Sequence, residues 1–276
     1  MRDPRARRSP RNMPFSDPAR GIPLRAVLPN TVTALALCSG LTAIRFAMLG
    51  NWEGAVLMVL AAAVLDGVDG KIARWVRAES RFGAELDSLS DAISFGVAPT
   101  LILYLWSLQA LGRFGWMVAL LMALFCALRL ARFNANIDRE HQPHKSAGFL
   151  TGVPAPAGAL LALTPLYLWL WTGEAVLRSP ALIAPWTGFV AVLMISSVAT
   201  FAPTLRLKQN IRFEAVAVLV VLVAALVSAP WPTLALLALA YLATIPFSIR
   251  SYRRIRRLRA SAVPAGPASV PGTSAP

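Results

Sequence analysis

The stretch LDGVDGKIARWVRAESRFGAELDSLSD, residues 65–91, places four aspartates in a chain that is 57% hydrophobic and only 14% charged. At about 100° per residue, Asp66 and Asp69 lie near one face of a helix, and Asp87 and Asp91, four residues apart, share a face of the next helix. Because only a short basic segment separates the two helices, they are predicted to be antiparallel neighbours. The four carboxylates are therefore expected to converge at one end of this helix pair.

Apolar runs of about the length needed to cross a membrane, roughly 20 residues, fill most of the 276-residue chain. Spans must be helices or a closed barrel, and these runs lack the two-residue alternation of barrel strands. We therefore predict an all-α, polytopic membrane helix bundle rather than a soluble α/β domain. The eight predicted spans are 27–49, 54–75, 83–110, 114–136, 150–172, 181–202, 214–229 and 231–249.

Basic residues lie almost entirely on one side of these spans. The N-terminal arm, three alternate loops and the segment after the last span hold 24 of the 27 lysines and arginines. The opposite turns hold only Arg113 and Arg178, and the remaining one, Arg45, lies inside the first span near its far end. Lysine and arginine prefer the cytoplasmic ends of spans. Both termini and the aspartates are therefore predicted to face the cytoplasm. The excess positive charge is explained by contact with the anionic membrane surface, and no nucleic-acid partner is expected.

Four carboxylates at the rim of a membrane are costly in desolvation and in mutual repulsion, so a cation is expected among them. Two Mg²⁺ or Mn²⁺ ions would neutralise the four charges and give an oxygen-lined site suited to a phosphoanhydride. The alternative is that Asp66 and Asp69 form ordinary ion pairs with nearby basic residues. The candidates for such pairs are Lys71, Arg74, Arg77 and Arg81.

Three glycines lie near the aspartates, at helix-interior positions where glycine lowers helix stability. Gly67, Gly70 and Gly83 remove side chains beside the acids and would let a ligand approach the backbone closely. Their alternative role is close packing of helices through small residues.

The stretch resembles the signature of the CDP-alcohol phosphotransferase family, D-x-x-D-G-x-x-A-R followed by G-x-x-x-D-x-x-x-D. The later stretches DSLSDAISFGVAP, RLARFN and TGVPAPAGA are similar to the bacterial phosphatidylserine synthase branch of that family, and the resemblance covers residues 28 to about 170. The residues that match the signature are Asp66, Asp69, Gly70, Ala73, Arg74, Gly83, Asp87 and Asp91.

The resemblance implies an enzyme that transfers a phosphatidyl group from CDP-diacylglycerol to the hydroxyl of L-serine, giving phosphatidylserine and CMP. It implies that Asp66, Asp69 and Asp87 hold two divalent cations and that Asp91 is both a metal ligand and the general base. It also implies a homodimer in a bacterial inner membrane, with the active site at the cytoplasmic face.

Substrate-binding residues are assigned from the same resemblance. Asn30 and Thr33, in LPNTVT, either cap the first helix or contact the nucleotide. The remaining residues assigned to CDP-diacylglycerol are Gly70, Ala73, Arg74 and Gly83, and for Arg74 a charge that only orients the span is the alternative.

The acceptor pocket is predicted from RLARFN. Serine carries a carboxylate, and arginine suits bidentate binding of carboxylates. Arg129, Arg132 and Asn134 are therefore the candidate acceptor-binding residues. Alternatively, the arginines only orient the span and the asparagine caps the helix.

Two other functions remain open from the sequence. The first is the same chemistry with another acceptor: glycerol 3-phosphate, inositol phosphate or choline. The second is a cation transporter that uses the aspartates as an ion site. A transporter predicts acids near the bilayer midplane and paired broken helices, whereas these acids lie at one rim.

Composition divides the chain into four segments. Residues 1–26 are predicted to be a disordered basic arm, and residues 253–276 a basic, flexible tail. Residues 27–172 are predicted to hold the catalytic helices, and residues 173–252 additional transmembrane helices.

Overall fold

The computed structural model describes residues 24–76, 80–135, 149–196, 199–201 and 212–261. Most of the two predicted terminal segments and the loop at 136–148 lie outside these residues. The described helices are α1 (Leu24–Met48), α2 (Trp52–Trp75), α3 (Arg81–Asp91), α4 (Ala98–Trp106), α5 (Arg113–Ala135), α6 (Ala155–Ala162), α7 (Thr164–Thr172), α8 (Pro180–Ile195), α9 (Arg212–Ser228) and α10 (Pro230–Ser261). Two short strands, β1 (Phe149–Thr151) and β2 (Ala199–Phe201), accompany them.

Polar side chains start the two helices that carry the aspartates. The backbone N–H of Gly54 donates to Asn51 Oδ1 at 2.8 Å at the start of α2, and that of Gly83 donates to Ser80 Oγ at 3.0 Å at the start of α3. Each bond satisfies one of the backbone N–H groups that a helix leaves unpaired at its first turn. These caps fix where both helices begin.

The first helix begins earlier than its apolar run suggests. It starts at Leu24, so Pro29, Asn30 and Thr33 all lie inside α1 rather than at its first turn. The capping interpretation of Asn30 and Thr33 is therefore wrong. Pro29 is the sixth residue of α1, where its missing N–H removes one helical hydrogen bond near the start of the helix. Thr33 Oγ1 lies 3.1 Å from the carbonyl oxygen of Pro29.

Helix α3 continues into α4 through a π-helical turn, Ala92–Val97, directly after Asp91. Two serines attach this continuous helix to α1. Ser90 Oγ donates to the carbonyl oxygen of Thr33 at 3.3 Å, and Ser94 Oγ donates to that of Ala36 at 3.2 Å. Because these bonds flank Asp91, they fix its backbone against α1.

The helices form one packed bundle around a core of aromatic and aliphatic side chains. Helix α1 packs along α2 and against α3 and α4, helix α5 packs against α8 and the π-helical turn, and α10 contacts α6 and α7. The largest fully buried side chains include Phe95, Ile102, Trp106, Met122 and Tyr167. The last helix therefore packs onto the helices predicted to hold the site.

Five described segments are long and apolar enough to cross a membrane: Val27–Met48, Arg81–Trp106, Arg113–Ala135, Ala155–Thr172 and Pro230–Ser248. The apolar helices Pro180–Ile195 and Val216–Ser228 are shorter, and α2 carries charged residues in its second half. Large apolar side chains remain exposed on the outside, among them Phe114, Met117 and Val221. Lipid is the solvent that fits such a surface, so the chain is a membrane protein. The count of eight spans stays a prediction.

The described chain is almost entirely helical, as predicted, and two details differ from the sequence prediction. A short antiparallel ladder joins β1 to β2, with Leu150 opposite Thr200. β1 ends just before Gly152, whose φ of 76° lies in the left-handed region that favours glycine. In addition, α10 continues to Ser261, within the segment predicted as the C-terminal tail.

Candidate metal centre

Three aspartates from two helices come together at one end of the bundle. One carboxylate oxygen from each of Asp66, Asp69 and Asp87 lies within 4.8 Å of the other two. Asp69 is buried, at 4% exposure, whereas Asp66 and Asp87 are half-buried. Helix α2 supplies the first two residues and α3 the third, as the antiparallel pairing predicts.

Asp91 stands beside this group but is not part of it. Its carboxyl group is in hydrogen-bonding contact with that of Asp66, and Asp87 and Arg129 are its other charged neighbours. The Oδ1 atom of Asp91 is buried and has no hydrogen-bond partner among the described residues. The fourth aspartate is thus placed next to the group of three, with one oxygen still unpaired.

Nearby basic side chains do not neutralise the three carboxylates. Within the described chain, Lys71, Arg74 and Arg81 form no ion pair with any of the four aspartates. Instead, Arg74 Nε donates to the carbonyl oxygen of Gly70 at 3.0 Å, within its own helix. Arg77, the fourth candidate, lies outside the described residues. The ion-pair alternative therefore has no support from the described part of the loop.

This donor set fits divalent metal. Hard cations such as Mg²⁺ and Mn²⁺ take carboxylate oxygens as ligands, and oxygens from three carboxylates converge here without a protein cation between them. Carboxylates this close repel one another unless a proton or a cation lies among them. Asp66, Asp69 and Asp87 are the residues that could hold the metal.

Thr33 is hydrogen-bonded to the most buried of these three aspartates, Asp69. Its Oγ1 lies 2.6 Å from Asp69 Oδ2, and the Thr33 side chain is itself buried, at 5% exposure. A hydroxyl has one proton to donate, and the contact with Asp69 is shorter than the 3.1 Å contact with the Pro29 carbonyl. A role in orienting Asp69 is a function of Thr33 that sequence reasoning missed.

The glycines beside the aspartates have different surroundings. A Cβ on Gly83 would lie 2.9 Å from Asn30 Oδ1, so a larger residue here would make the Asn30 side chain shift. A Cβ on Gly67 or Gly70 would meet no atom within 4 Å. Space beside Gly70 is therefore open to a ligand, whereas Gly83 lies against the Asn30 side chain of α1. The Nδ2 atom of Asn30 is buried and has no described hydrogen-bond partner.

The three predicted acceptor residues, on the last turns of α5, differ in burial and in hydrogen-bond partners. Arg129 is half-buried beside Asp91, and its Nε atom has no hydrogen-bond partner in the described chain, whereas Arg132 is exposed. Asn134 Nδ2 donates to Ser88 Oγ at 2.8 Å and so joins the end of α5 to α3. Ala73 is half-buried on α2, next to the exposed Arg74.

Two further residues belong to this region although the sequence reasoning did not select them. Ser88, one residue after Asp87, accepts the bond from Asn134. Tyr241 on α10 lies close enough to Arg129 to interact with it electrostatically. In the sequence, Tyr241 stands out only as a tyrosine within the otherwise apolar run LALAYLAT, so its position near Arg129 could not be predicted.

Comparison of the sequence with known proteins identifies the family of the chain. Residues 26–202 match the sequence profile of CDP-alcohol phosphatidyltransferase, and residues 210–246 match that of CDP-alcohol phosphatidyltransferase 2. The chain belongs to the CDP-alcohol phosphatidyltransferase family. The predicted family is thus confirmed, and the first match runs from the third residue of α1 to the residue after β2. Members of this family use divalent metal ions, which agrees with the carboxylate group.

Several curated proteins of the family are similar to the chain over most of its length. A protein from Mycobacterium bovis is 40% identical over 233 residues, which are 84% of this chain and 81% of the relative. A protein from Mycobacterium leprae is 40% identical over 82% of this chain and 75% of its own length. A protein from Bacillus subtilis is 32% identical over 62% of this chain and 88% of its own length. Each of the three is named CDP-diacylglycerol–serine O-phosphatidyltransferase.

The contact between Thr33 and Asp69 gives a testable prediction about metal affinity. Thr33→Val keeps the shape of the side chain but leaves a buried carboxylate without its hydrogen bond, so we expect metal binding to weaken by about tenfold. Thr33→Ser keeps the hydroxyl and is expected to bind metal like the unaltered protein. Calorimetric titration of the purified protein with Mn²⁺ measures the difference directly. Equal affinity in the valine and serine variants would show that the bond does not orient a metal ligand.

Proposed function

We propose that the protein transfers a phosphatidyl group from CDP-diacylglycerol to the hydroxyl of L-serine, releasing CMP. The observation that carries the proposal is the group of three carboxylates with Asp91 beside it, built on the family signature. Relatives named for this reaction match 84% of the chain and support serine as the acceptor. The metal site, the base and the acceptor pocket described below are parts of the same proposal.

Asp66, Asp69 and Asp87 would hold two divalent cations, Mg²⁺ or Mn²⁺, with Asp91 as a further ligand. When bound, the cations supply positive charge that neutralises the pyrophosphate of CDP-diacylglycerol and stabilises CMP as a leaving group. The chain contributes the fixed positions of these carboxylates. Thr33 orients Asp69, and the bonds from Ser90 and Ser94 hold the backbone around Asp91.

Asp91 is the proposed general base. Its buried Oδ1 atom has no described hydrogen-bond partner and is available to accept the proton of the serine hydroxyl. The serine oxygen forms a bond to the phosphorus that carries the diacylglycerol, the bond from that phosphorus to the CMP oxygen breaks, and CMP leaves with the bonding electron pair. The proton remains on Asp91 until it is released to solvent.

CDP-diacylglycerol is proposed to approach from the side of α2 that Gly70 leaves open. A Cβ there would meet no neighbour within 4 Å, so the pyrophosphate can come close to the backbone. Asn30, whose Nδ2 atom is buried without a described partner, is the proposed nucleotide contact on α1. Ala73 and Arg74, one turn after Gly70, and Gly83 at the start of α3 complete the proposed binding region.

Arg129 is the proposed ligand of the serine carboxylate. It is half-buried, lies beside the proposed base, and its Nε–H has no hydrogen bond to the described residues. Arg132 is exposed one turn further on, and Asn134 is bonded to Ser88, so both are proposed to shape the pocket edge rather than to grip the substrate. Serine has one carboxylate, so one arginine side chain is sufficient to bind it.

The experiment that tests the proposal measures CMP release by the purified, full-length protein from CDP-diacylglycerol and a panel of alcohols. We expect release to require serine, with little release from glycerol 3-phosphate, inositol phosphate or choline. Release with another alcohol in place of serine would support the same type of reaction but would show that serine is not the acceptor. No CMP release with any alcohol in the presence of Mg²⁺ or Mn²⁺ would contradict the proposed activity.

We further propose that the protein lies in a bacterial inner membrane with both termini and the aspartates at the cytoplasmic face. The asymmetry in lysine and arginine supports this orientation, with 24 of 27 on one side. Reporter fusions at each terminus are expected to be active only in the cytoplasm. A periplasmic signal from either terminus would contradict an even number of spans or their orientation.

A further inference from the structure

A cavity of about 340 Å³ lies between the end of α4 and the start of α8. Its polar lining residues are Ser107, Gln109, Arg178 and Ser179, and Trp106 forms part of its wall. None of these residues belongs to the proposed active site. The cavity combines a cation, the hydroxyl of Ser179 and the first turn of a helix, which together favour an anionic ligand.

The cavity is at the opposite end of the bundle from the aspartates. The guanidinium of Arg178 lies 6.0 Å from the ring centre of Trp52, which is the first residue of α2. Asp69 is 17 residues further along the same helix, or about 25 Å at 1.5 Å per residue. Because the hydrocarbon core of a membrane is about 30 Å thick, the cavity lies at the other membrane surface.

Aromatic side chains mark the same level of the bundle. Trp106 and Trp169 are in edge-to-face contact at 5.8 Å, and Tyr104 and Trp116 at 5.2 Å. Together with Trp52, these residues stand at the ends of four helices. Tryptophan and tyrosine are enriched where a membrane meets water, at the level of lipid headgroups. A lipid phosphate is the anion found at that level.

Arg178 is held in place but keeps donors free for a ligand. Its Nε donates to the carbonyl oxygen of Trp106 at 2.9 Å, and its guanidinium lies 5.8 Å from the ring centre of Trp169. Ser107 Oγ donates to the carbonyl oxygen of Arg178 at 2.7 Å and fixes the backbone. No other hydrogen bond joins the guanidinium to the described residues, so its terminal nitrogens remain available.

The start of α8 adds a second contribution to anion binding. Ser179 precedes the helix, and its side chain makes no capping hydrogen bond. The N-terminal end of a helix carries partial positive charge. Here Pro180 has no N–H and those of Leu182 and Ile183 donate to the carbonyl oxygen of Ser179, which leaves the N–H of Ala181 to face a ligand. Arg178 and this helix end act on the same cavity from nearby residues. The other basic residues on this side are Arg45, in the last turn of α1, and Arg113.

We propose that this cavity binds the phosphate of an anionic phospholipid in the leaflet opposite the aspartate site. The terminal nitrogens of Arg178 contact the phosphate oxygens, and the hydroxyl of Ser179 provides a further donor. The acyl chains lie along the exposed apolar surface of the bundle. The site anchors α4 and α8 to that leaflet and takes no part in phosphatidyl transfer.

The test measures phospholipid binding to the purified, delipidated full-length protein by native mass spectrometry, with chelator present to limit binding at the aspartates. Phosphatidylglycerol is the anionic probe, phosphatidylcholine the zwitterionic control and inorganic phosphate the soluble control. We expect phosphatidylglycerol to be retained preferentially, and Arg178→Gln to weaken its binding by about tenfold. Arg113→Gln removes the same charge outside the cavity and is expected to bind like the unaltered protein.

A second variant keeps Arg178 and its bond to Trp106. Gln109→Glu places a carboxylate in the cavity, where it competes with the phosphate for the guanidinium, and should also weaken phosphatidylglycerol binding. Equal binding by the unaltered protein, Arg178→Gln and Gln109→Glu would overturn the proposal. Equal retention of phosphatidylcholine, or displacement of phosphatidylglycerol by inorganic phosphate at similar concentration, would overturn the assignment to an anionic lipid.

Discussion

Asp91→Asn is expected to slow CMP release by about 10²- to 10⁴-fold while the affinity for CDP-diacylglycerol changes much less. Asparagine preserves the shape of the side chain but cannot accept the proton of the serine hydroxyl. The contact of Asp91 with Asp66 and its unpaired Oδ1 atom place it where a base is needed. Single-turnover rates and substrate binding, measured separately, distinguish the two effects.

A role for Asp91 limited to holding metal predicts a different result. In that case, raising the Mg²⁺ or Mn²⁺ concentration should restore much of the activity of the asparagine variant, and substrate affinity should recover with it. Such rescue would show that another group deprotonates serine. Glu85→Gln provides the matched control, because Glu85 is an exposed carboxylate on the same helix and its loss should leave the rate unchanged.

Removal of the proposed metal ligands should have an effect at least as large. Asp66→Asn and Asp69→Asn each remove one negative charge from the group of three, and we expect CMP release to fall on the order of 10³-fold or more. Stripping divalent ions with a chelator should abolish release from the unaltered protein, and added Mg²⁺ or Mn²⁺ should restore it. The measurement is CMP release at saturating substrate across a metal titration.

The two ligand variants also test whether metal binding or folding is affected. In chelator each should unfold at a temperature equal to or above that of the unaltered protein, because the converging carboxylates repel one another in the metal-free bundle and losing one charge relieves that repulsion. In Mn²⁺ the unaltered protein should be stabilised and the variants much less so. Activity that survives thorough chelation would contradict a metal-dependent mechanism.

The sequence contains most of what is needed to locate the site because helical spacing is a local property. Asp66 and Asp69 on one helix, and Asp87 on the next, follow from periodicity and from the short segment between the two helices. The membrane environment follows from composition in the same way. Neither inference requires knowledge of how distant parts of the chain pack.

The contacts that complete the site depend on packing between distant residues and could not be obtained in this way. Thr33 is 36 residues from Asp69, and Asn134 is 46 residues from Ser88. Tyr241 lies on the last helix, where the sequence offers only a tyrosine in an apolar run. The start of α1 was also misplaced, because a proline near the start of an apolar run favours a helix boundary there and the helix continues before it instead.

The π-helical turn after Asp91 has a consequence for how this helix tolerates changes in length. A π turn bonds each residue to the fifth one along rather than the fourth, so it accommodates one residue more than an α-helical turn. Deleting a single residue from Ala92–Val97 would let the segment become regular α-helix while α3 and α4 keep their relative rotation. A deletion elsewhere in α3 or α4 would instead rotate the aspartates by about 100° relative to the buried face of α4. We therefore expect single-residue length differences among related chains to fall in this turn rather than in the helices on either side.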